Sequence, residues 1–240
     1  VDYSHFLAGP YVGRCLAALG AEVIKVERPG SGDAGRQHAW ILDDRQSGYY
    51  LQLNMGKQGV SVNMKDPRGK EAFMKLAASA DVITENFRPG VVRKLGIDYA
   101  TISKSNPGVI YASMSGFGQT GPYGRKGGFD IVAQGMSGIM MMTGYPGGRP
   151  AKVGIAMNDI ASGVTALYAI LGAYIGRLRG GKGQYLETSL LEAGLVVERS
   201  GKGEQCEGEQ DCDAHDVIGR SFLRRRQALT PLNIRRPIAR

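Results

Sequence analysis

One acidic residue, Asp159, stands in a run of small and apolar residues that reads MNDIASG. A carboxylate in such a setting can act as a nucleophile, because small neighbours let a carbonyl substrate approach it. The positive end of the following helix would be expected to keep this carboxylate ionised. The alternative is an N-cap role, in which the side chain accepts an N–H of that helix, and the two roles are compatible. Asp159 is therefore the candidate catalytic residue.

Three cations each follow a run that reads as a β-strand. Arg28 follows EVIKVE, Lys65 follows GVSVNM, and Arg88 follows DVITENF. Ordinary surface charge would explain any one of them, but cations at equivalent strand ends suit the phosphates of a nucleotide-like ligand. A net charge of +8 and a pI near 9.4 also fit an anionic partner. Nucleic acid is the competing partner, but no aromatic-interleaved basic stripe or helix-turn-helix pattern occurs, so we expect a small molecule.

Several familiar catalytic motifs are absent from the sequence, which contains no G-x-x-x-x-G-K-[ST], no H-E-x-x-H and no G-x-S-x-G. Two G-x-G fragments, at residues 30–32 and 116–118, lack the rest of the dinucleotide fingerprint and are interpreted as turns. Three histidines far apart in sequence, and three badly spaced cysteines, predict no metal site. The few cysteines also favour a reducing compartment, and we expect a cytoplasmic protein.

The elements that must position these residues alternate between helix and strand. Apolar periodicity predicts helices over residues 8–19, 67–79 and 155–178, and strands over residues 22–27, 59–64, 81–85 and 109–115. Residues 181–193 read as a strand followed by the start of a helix. This alternation predicts an α/β fold with a Rossmann-like parallel sheet and flanking helices, in which ligands bind beyond the carboxyl ends of the strands. The longest apolar stretch, residues 163–176, is too short to span a bilayer, so no membrane segment is expected.

The texture of the sequence changes after about Leu195. Residues 196–240 lose apolar periodicity and alternate an acid-rich block with an arginine-rich block. We therefore predict an N-terminal domain over residues 1–195 and an irregular, non-homologous tail over residues 196–240. The abrupt change suggests that the tail arises from a shifted reading frame or an aberrant end. Because the chain begins with Val and not Met, its start is also expected to be missing.

Longer strings in the domain resemble one enzyme family. LAGPYVGRCLAALGAEVIKVERPGSGD, ADVITENFRPGVVRKLGIDY, KVGIAMNDIASGVTALYAILGAY and GKGQYLETSLLEA are similar, in this order, to segments of the class III CoA-transferases. That family includes formyl-CoA transferase, carnitine CoA-transferase and the methylacyl-CoA racemases. The resemblance runs from residue 1 to about 195 and implies an incomplete large domain, because the family fold continues for roughly as many residues again. It also implies an interlocked homodimer.

The resemblance assigns roles to particular residues. It implies that Asp159 attacks an acyl-CoA thioester to give an aspartyl anhydride, from which CoA passes to a carboxylic acid without ATP. Lys94 stands where the family has an arginine, and Gly127 and Phe129 stand where it has a lysine and a tyrosine. The CoA-binding positions that carry over are Leu7, Ala8, Arg28, Val62, Asn63, Met64, Lys65, Asn86, Phe87, Arg88, Lys94, Gly127, Gly128, Phe129 and Asp130.

Three other functions remain open at this point. A racemase of the same family would need a histidine before Asp130, where this sequence has Phe129, so transfer is favoured over racemisation. An inactive, truncated CoA-binding fragment is the second alternative. A basic interaction protein that binds nucleic acid without CoA is the third, and a salt-sensitive DNA-binding assay would distinguish it.

Overall fold

The computed structural model describes residues 1–42 and 46–201, which contain a six-stranded parallel sheet. Its strands are β1 (Asp2–Tyr3), β2 (Ile24–Glu27), β3 (Gln58–Ser61), β4 (Val82–Glu85), β5 (Ile110–Ser115) and β6 (Gln184–Ser189). They lie in the order β3-β2-β1-β4-β5-β6, and each neighbouring pair is parallel. The predicted α/β fold with a Rossmann-like sheet is confirmed.

Helices connect and cover the strands. They are α1 (Ala8–Ala18), α2 (Gly48–Asn54), α3 (Pro67–Ser79), α4 (Val91–Leu95), α5 (Tyr99–Ile102), α6 (Asp130–Met136), α7 (Ile139–Met142), α8 (Met157–Leu178) and α9 (Leu190–Gly201), with a short 3-10 helix at Ala34–Gln37. Helix α3 begins where the Asp66 side chain accepts the N–H of Arg68 and Pro67 takes the first helical position. Local sequence therefore fixes the start of this helix.

Both faces of the sheet are covered by helices. On one face Phe73 of α3 and Ile102 of α5 pack with Tyr111 of β5. On the other face Val12 of α1 and Ile170 of α8 belong to the second buried cluster. All six residues of β5 are consequently buried, as expected for a central strand of a parallel sheet.

Strand β2 contains a buried lysine that its alternating sequence would not lead one to expect. Lys25 is 1% exposed, and its Nζ lies 2.9 Å from Oδ2 of Asp33. Nearby, Nζ of Lys57 lies 2.7 Å from Oδ2 of Asp2 on β1. Buried ammonium and carboxylate groups need such partners, because each would otherwise lose its hydration without compensation. The network ties β1, β2 and the loop after β2 together.

The longest helix, α8, bears on two sequence predictions. It has 22 residues, and by length and composition it is apolar enough to cross a membrane. The prediction of no membrane segment is based on the shorter run of residues 163–176, and that argument does not apply to the whole helix. In the structure it packs against α1, β5 and β6, as the core helix of an α/β domain does. Helix α9 continues to Gly201, past the predicted boundary at Leu195. The predicted tail from residue 202 onward lies outside the described residues.

Candidate active site

A cavity of about 270 Å³ lies at the carboxyl edge of the sheet, where the strand order reverses between β1 and β4. Ligands in open parallel sheets bind at such a point, because the loops that follow the two strands leave in opposite directions. We call it the Asp159 cavity. Its lining includes nine of the predicted site residues, namely Leu7, Ala8, Asn86, Phe87, Arg88, Gly127, Gly128, Phe129 and Asp159.

Other lining residues were not predicted from the sequence. They are His5, Phe6, Pro89, Met114, Ser115, Gly116, Lys126 and Leu190. Phe6, Pro89 and Lys126 are immediate neighbours of predicted residues, and most of the others lie at or just after the end of β1 or β5, so proximity to a strand end was the signal that could have found them. Lys126 adds a second cation to Arg88, which strengthens the case for an anionic ligand.

The Asp159 cavity is also lined by a histidine, His5, which was not predicted to belong to the site. His5 and His38 are far apart in the chain, yet their rings lie 5.5 and 6.3 Å from the ring of Phe6. Burial lowers the pKa of His5 below its usual value, although the charge of Asp33 opposes this. The loop after β1 therefore contributes an imidazole to the cavity, at a position other than the one that Phe129 occupies.

Several predicted CoA contacts lie outside the Asp159 cavity. Arg28 lines a neighbouring cavity of about 370 Å³, which shares Phe6 and Phe87 with the first. The residues Val62, Asn63, Met64 and Lys65 follow β3, and Lys94 lies on α4. Neither those five residues nor Asp130 line either cavity. Their contribution to CoA binding stays a prediction.

The loop after β1 is held rigidly by side chains from other loops. The Asn86 amide accepts the N–H of His5 at 2.8 Å and donates to the His5 carbonyl at 2.7 Å. Asp33 accepts the N–H of Phe6 at 3.0 Å. Phe6 has a φ of 62°, a left-handed conformation that is costly for a bulky residue. These hydrogen bonds maintain the strained turn and point the loop into the cavity.

Asp159 occupies the first turn of α8 and does not cap the helix. The N-cap position is Ala156, which makes no side-chain cap hydrogen bond, so the predicted N-cap role of Asp159 is wrong. Oδ1 of Asp130 instead accepts the N–H groups of Asn158 and Asp159, at 2.7 and 3.1 Å. Because the backbone is capped from α6, the Asp159 side chain is left to line the cavity.

The ionisation of Asp159 also differs from expectation. Burial and, to a smaller extent, the negative charge of Asp130 together raise the pKa of Asp159 to about 7. The expected effect of the helix dipole, a carboxylate kept ionised, is therefore outweighed by desolvation and a like charge. A carboxyl with such a pKa is ionised above neutral pH and becomes a stronger nucleophile than an ordinary aspartate, as more basic oxygens are.

Glycines shape the loop after β5. A Cβ on Gly116 would lie 2.5 Å from Cα of Gly128, so the two ends of the loop touch through their backbones. A Cβ on Gly127 would lie 2.8 Å from Nε of Arg88, which places the guanidinium directly against this glycine. A side chain at this position would therefore require the exposed Arg88 side chain to move.

One cavity is thus lined by a carboxyl of raised pKa and by two cations. Such a site can bind an anionic thioester and form a covalent anhydride through the carboxylate, with a thiolate as the leaving group. Among residues 1–42 and 46–201, no three His, Cys, Asp or Glu side chains are grouped as metal ligands. That the protein uses no metal stays a prediction.

Comparison with known proteins gives the family. The family model for "CoA-transferase family III" matches residues 1–213, beyond the predicted domain boundary at Leu195. The chain is 43% identical over 193 residues to succinyl-CoA:glutarate CoA-transferase of Mus musculus, covering 80% of this chain and 44% of that protein. It is 42% identical to acetyl-CoA:oxalate CoA-transferase of Acetobacter aceti, covering 82% of this chain and 50% of that protein.

Solved structures show the same similarity. A CAIB/BAIF family protein from Brucella suis is 38% identical, with a TM-score of 0.77 over 84% of this chain and 56% of that chain. The chain therefore spans about half the length of the relatives that it matches. Sequence similarity, the parallel sheet and the position of the cavity agree that the chain belongs to CoA-transferase family III.

Proposed function

We propose that the chain carries the catalytic carboxylate of a CoA-transferase that moves CoA from an acyl-CoA to a carboxylic acid. The observation that carries the proposal is the position of Asp159 in a cavity that Arg88 and Lys126 also line. An Asp159 oxygen attacks the thioester carbonyl, the carbon–sulfur bond breaks, and an aspartyl anhydride and CoA thiolate form. The thiolate then attacks the aspartyl carbonyl, which releases the donor acid and leaves CoA on Asp159.

The second half of the reaction repeats these steps with the acceptor. The acceptor carboxylate attacks the aspartyl thioester and expels the thiolate, and the thiolate then attacks the acceptor's carbonyl carbon in the new anhydride. The free Asp159 carboxylate is regenerated, so no ATP is consumed. Because the relatives are named for the dicarboxylic acids glutarate and oxalate, we propose a dicarboxylic acid as acceptor.

Hydroxylamine trapping tests this mechanism. The 240-residue chain is incubated with succinyl-CoA and hydroxylamine, and the peptide that contains Asp159 is examined by mass spectrometry. We expect a hydroxamate on Asp159 that is absent from Asp159→Asn. CoA binding without any hydroxamate would refute the mechanism for this chain and support the alternative of an inactive CoA-binding fragment.

A racemase is the second candidate, since one observation favours it. His5 lines the same cavity as Asp159, and an imidazole and a carboxylate could remove and return a proton at the α-carbon of an acyl-CoA. Incubation of a 2-methylacyl-CoA in D₂O would then introduce deuterium at that carbon. Deuterium incorporation that is lost in both Asp159→Asn and His5→Phe would favour racemisation over transfer.

We also propose that a second copy of the chain is the macromolecular partner. The family resemblance implies a homodimer, and exposed apolar side chains on and near α6 and α7 support an interface there, among them Phe129, Ile131, Met141 and Tyr145. Light scattering after size exclusion would give the mass, and a monomer would refute the proposal. We propose a cytoplasmic location, to be checked by fractionation of the source cells.

A further inference from the structure

Gln134, on α6, is buried and lies outside the Asp159 cavity, yet it makes three hydrogen bonds. Only 1% of the residue is exposed. Its Nε2 donates to Oδ2 of Asp130 at 2.5 Å and to the carbonyl of Ile155 at 3.1 Å. Its Oε1 accepts the N–H of Val153 at 2.9 Å. The side chain thus joins α6 to the segment that leads into α8.

Asp130 connects this amide to the proposed nucleophile. One of its oxygens accepts the donation from Gln134, while the other accepts the N–H groups of Asn158 and Asp159. Both oxygens of Asp130 are therefore occupied, and its orientation is fixed from two sides. The same carboxylate is the charge that faces Asp159, so its position affects the electrostatics of the nucleophile as well as the start of α8.

We propose that Gln134 is a positioning residue for Asp159 that acts through Asp130, an inference that rests on the nucleophilic role proposed above. An amide fits the place because it donates and accepts at the same time and carries no charge at any pH in the working range. The Nε2 group of Gln134 donates to the Asp130 carboxylate, which in turn accepts from the first turn of α8. The Oε1 atom of Gln134 accepts from Val153, in the segment before that turn.

Other titratable groups near Asp159 set the background for a test. His5 lies on the loop after β1, Arg88 on the loop after β4 and Lys126 on the loop after β5, and all three line the cavity. Asp159 also raises the pKa of Tyr49 on α2, for which burial is the larger cause. Asp130 is the acidic group among these neighbours, so changes that act through it should shift the titration of Asp159 in a predictable direction.

The experiment measures the titration of Asp159 directly. The 240-residue chain is labelled with [¹³C]aspartate, the carboxyl resonance of Asp159 is assigned with Asp159→Asn, and its midpoint is followed by NMR. Asp130→Asn keeps an acceptor for the two N–H groups but removes the charge, so we expect the midpoint to fall by about one pH unit or more.

Two substitutions of Gln134 should move the midpoint in opposite directions. Gln134→Glu keeps the acceptor for Val153 and adds a second carboxylate near Asp130, so the midpoint should rise. Gln134→Met keeps the approximate shape but releases Asp130, so the midpoint should fall by less than in Asp130→Asn. Gln58→Glu, at an exposed site on β3, is the matched control for the charge change and should leave the midpoint unchanged.

A purely structural role for Gln134 would not give opposite shifts at a single position. Circular dichroism identifies any variant that fails to fold, and the remaining folded variants still decide the question. An unchanged Asp159 midpoint in folded Asp130→Asn, or in either folded Gln134 variant, would overturn the proposal. Shifted midpoints together with an absent hydroxamate would instead refute the proposed function and leave the positioning role in place.

Discussion

Replacing Glu85 by Gln is expected to stabilise the protein at pH 8 and to leave its stability unchanged at pH 4. Glu85 ends β4, is 1% exposed, and accepts the N–H of Phe87 through Oε2 at 2.9 Å. Its Oε1 is buried without a hydrogen-bond partner in the described part of the chain. Burial raises the pKa of Glu85 to about 7, although interactions with the Ser113 side chain and with the N–H of Phe87 oppose the rise.

The magnitude follows from the two pKa values. The folded chain holds the proton up to about pH 7, whereas an unfolded chain releases it near 4.5. Below pH 4.5 the carboxyl is protonated in both states and does not change the free energy of unfolding. Between pH 4.5 and pH 7 this free energy falls as the pH rises, and it loses a further 1.36 kcal/mol for each pH unit until the loss is complete above about pH 7. At 1.36 kcal/mol for each pH unit, the penalty at pH 8 is about 3 kcal/mol, and an uncharged glutamine avoids it.

Urea unfolding of both proteins at pH 4 and pH 8 measures this effect. The free energy of unfolding of Glu85→Gln should exceed that of the parent by about 3 kcal/mol at pH 8 and should match it at pH 4. Asp159 also has a raised pKa, but it is present in both proteins and cancels in the difference. Glu71→Gln, on the exposed face of α3, is the control and should show no such pH-dependent gain.

Two results would refute this reasoning. Equal stabilities of the two proteins at pH 8 would mean that Glu85 is solvated or paired when ionised. An equal gain at both pH values would mean that the amide acts through packing and not through the ionisation of the carboxyl.

Further substitutions test the core, the buried ion pair and the anion site. Phe73→Ala removes a buried ring from α3 and should lower the free energy of unfolding by about 3–5 kcal/mol in urea. Asp33→Ala leaves Lys25 buried without its nearest carboxylate and should cost about 3–5 kcal/mol, whereas Asp33→Asn keeps an acceptor for Phe6 and should cost less. Arg88→Ala should weaken CoA binding by calorimetry and make the affinity less dependent on salt, because a cation is removed from the cavity.

Each of these predictions has a contrary outcome. A loss for Phe73→Ala of below about 1 kcal/mol would mean that the ring does not pack as described. Equal losses of unfolding free energy in the two Asp33 variants would mean that the whole effect comes from the charge next to Lys25 and none from the hydrogen bond to the N–H of Phe6. If the affinity for CoA and its salt dependence were unchanged in Arg88→Ala, the Arg88 guanidinium would not contribute to CoA binding.

Much of the fold could be predicted because its longer elements carry clear local signals. The helix at Pro67–Ser79 has both its cap and its first-position proline in sequence, and its limits were predicted closely. Strand β1 has two residues, Asp2–Tyr3, which are too few for any periodicity to appear. Helix α2, at Gly48–Asn54, was also missed, because one short turn of mixed residues has no distinctive pattern.

The site was predictable where it depended on strand ends and not where it depended on contacts between loops. Asn86 to Arg88 follow β4 directly, so the parallel sheet brings them to the cavity. The proximity of His5 to Asp159, and the capping of α8 by Asp130, arise from tertiary packing between segments that are distant in sequence. Burial also raises the pKa of Asp159, against the expectation of a carboxylate kept ionised. This could not be predicted, because the local sequence does not show how far a side chain is desolvated.

The close approach of Gly116 and Gly128 has a consequence for how this fold can be altered. Because the two backbones touch, the stretch between them is closed at its base. Loop exchange at residues 117–127 would change one wall of the cavity, and it would have to keep the N–H groups of Gly118 and Gln119 that donate to Ser115 on β5 and Glu187 on β6. This makes the stretch a natural place for engineering new substrate ranges, provided that both glycines are kept.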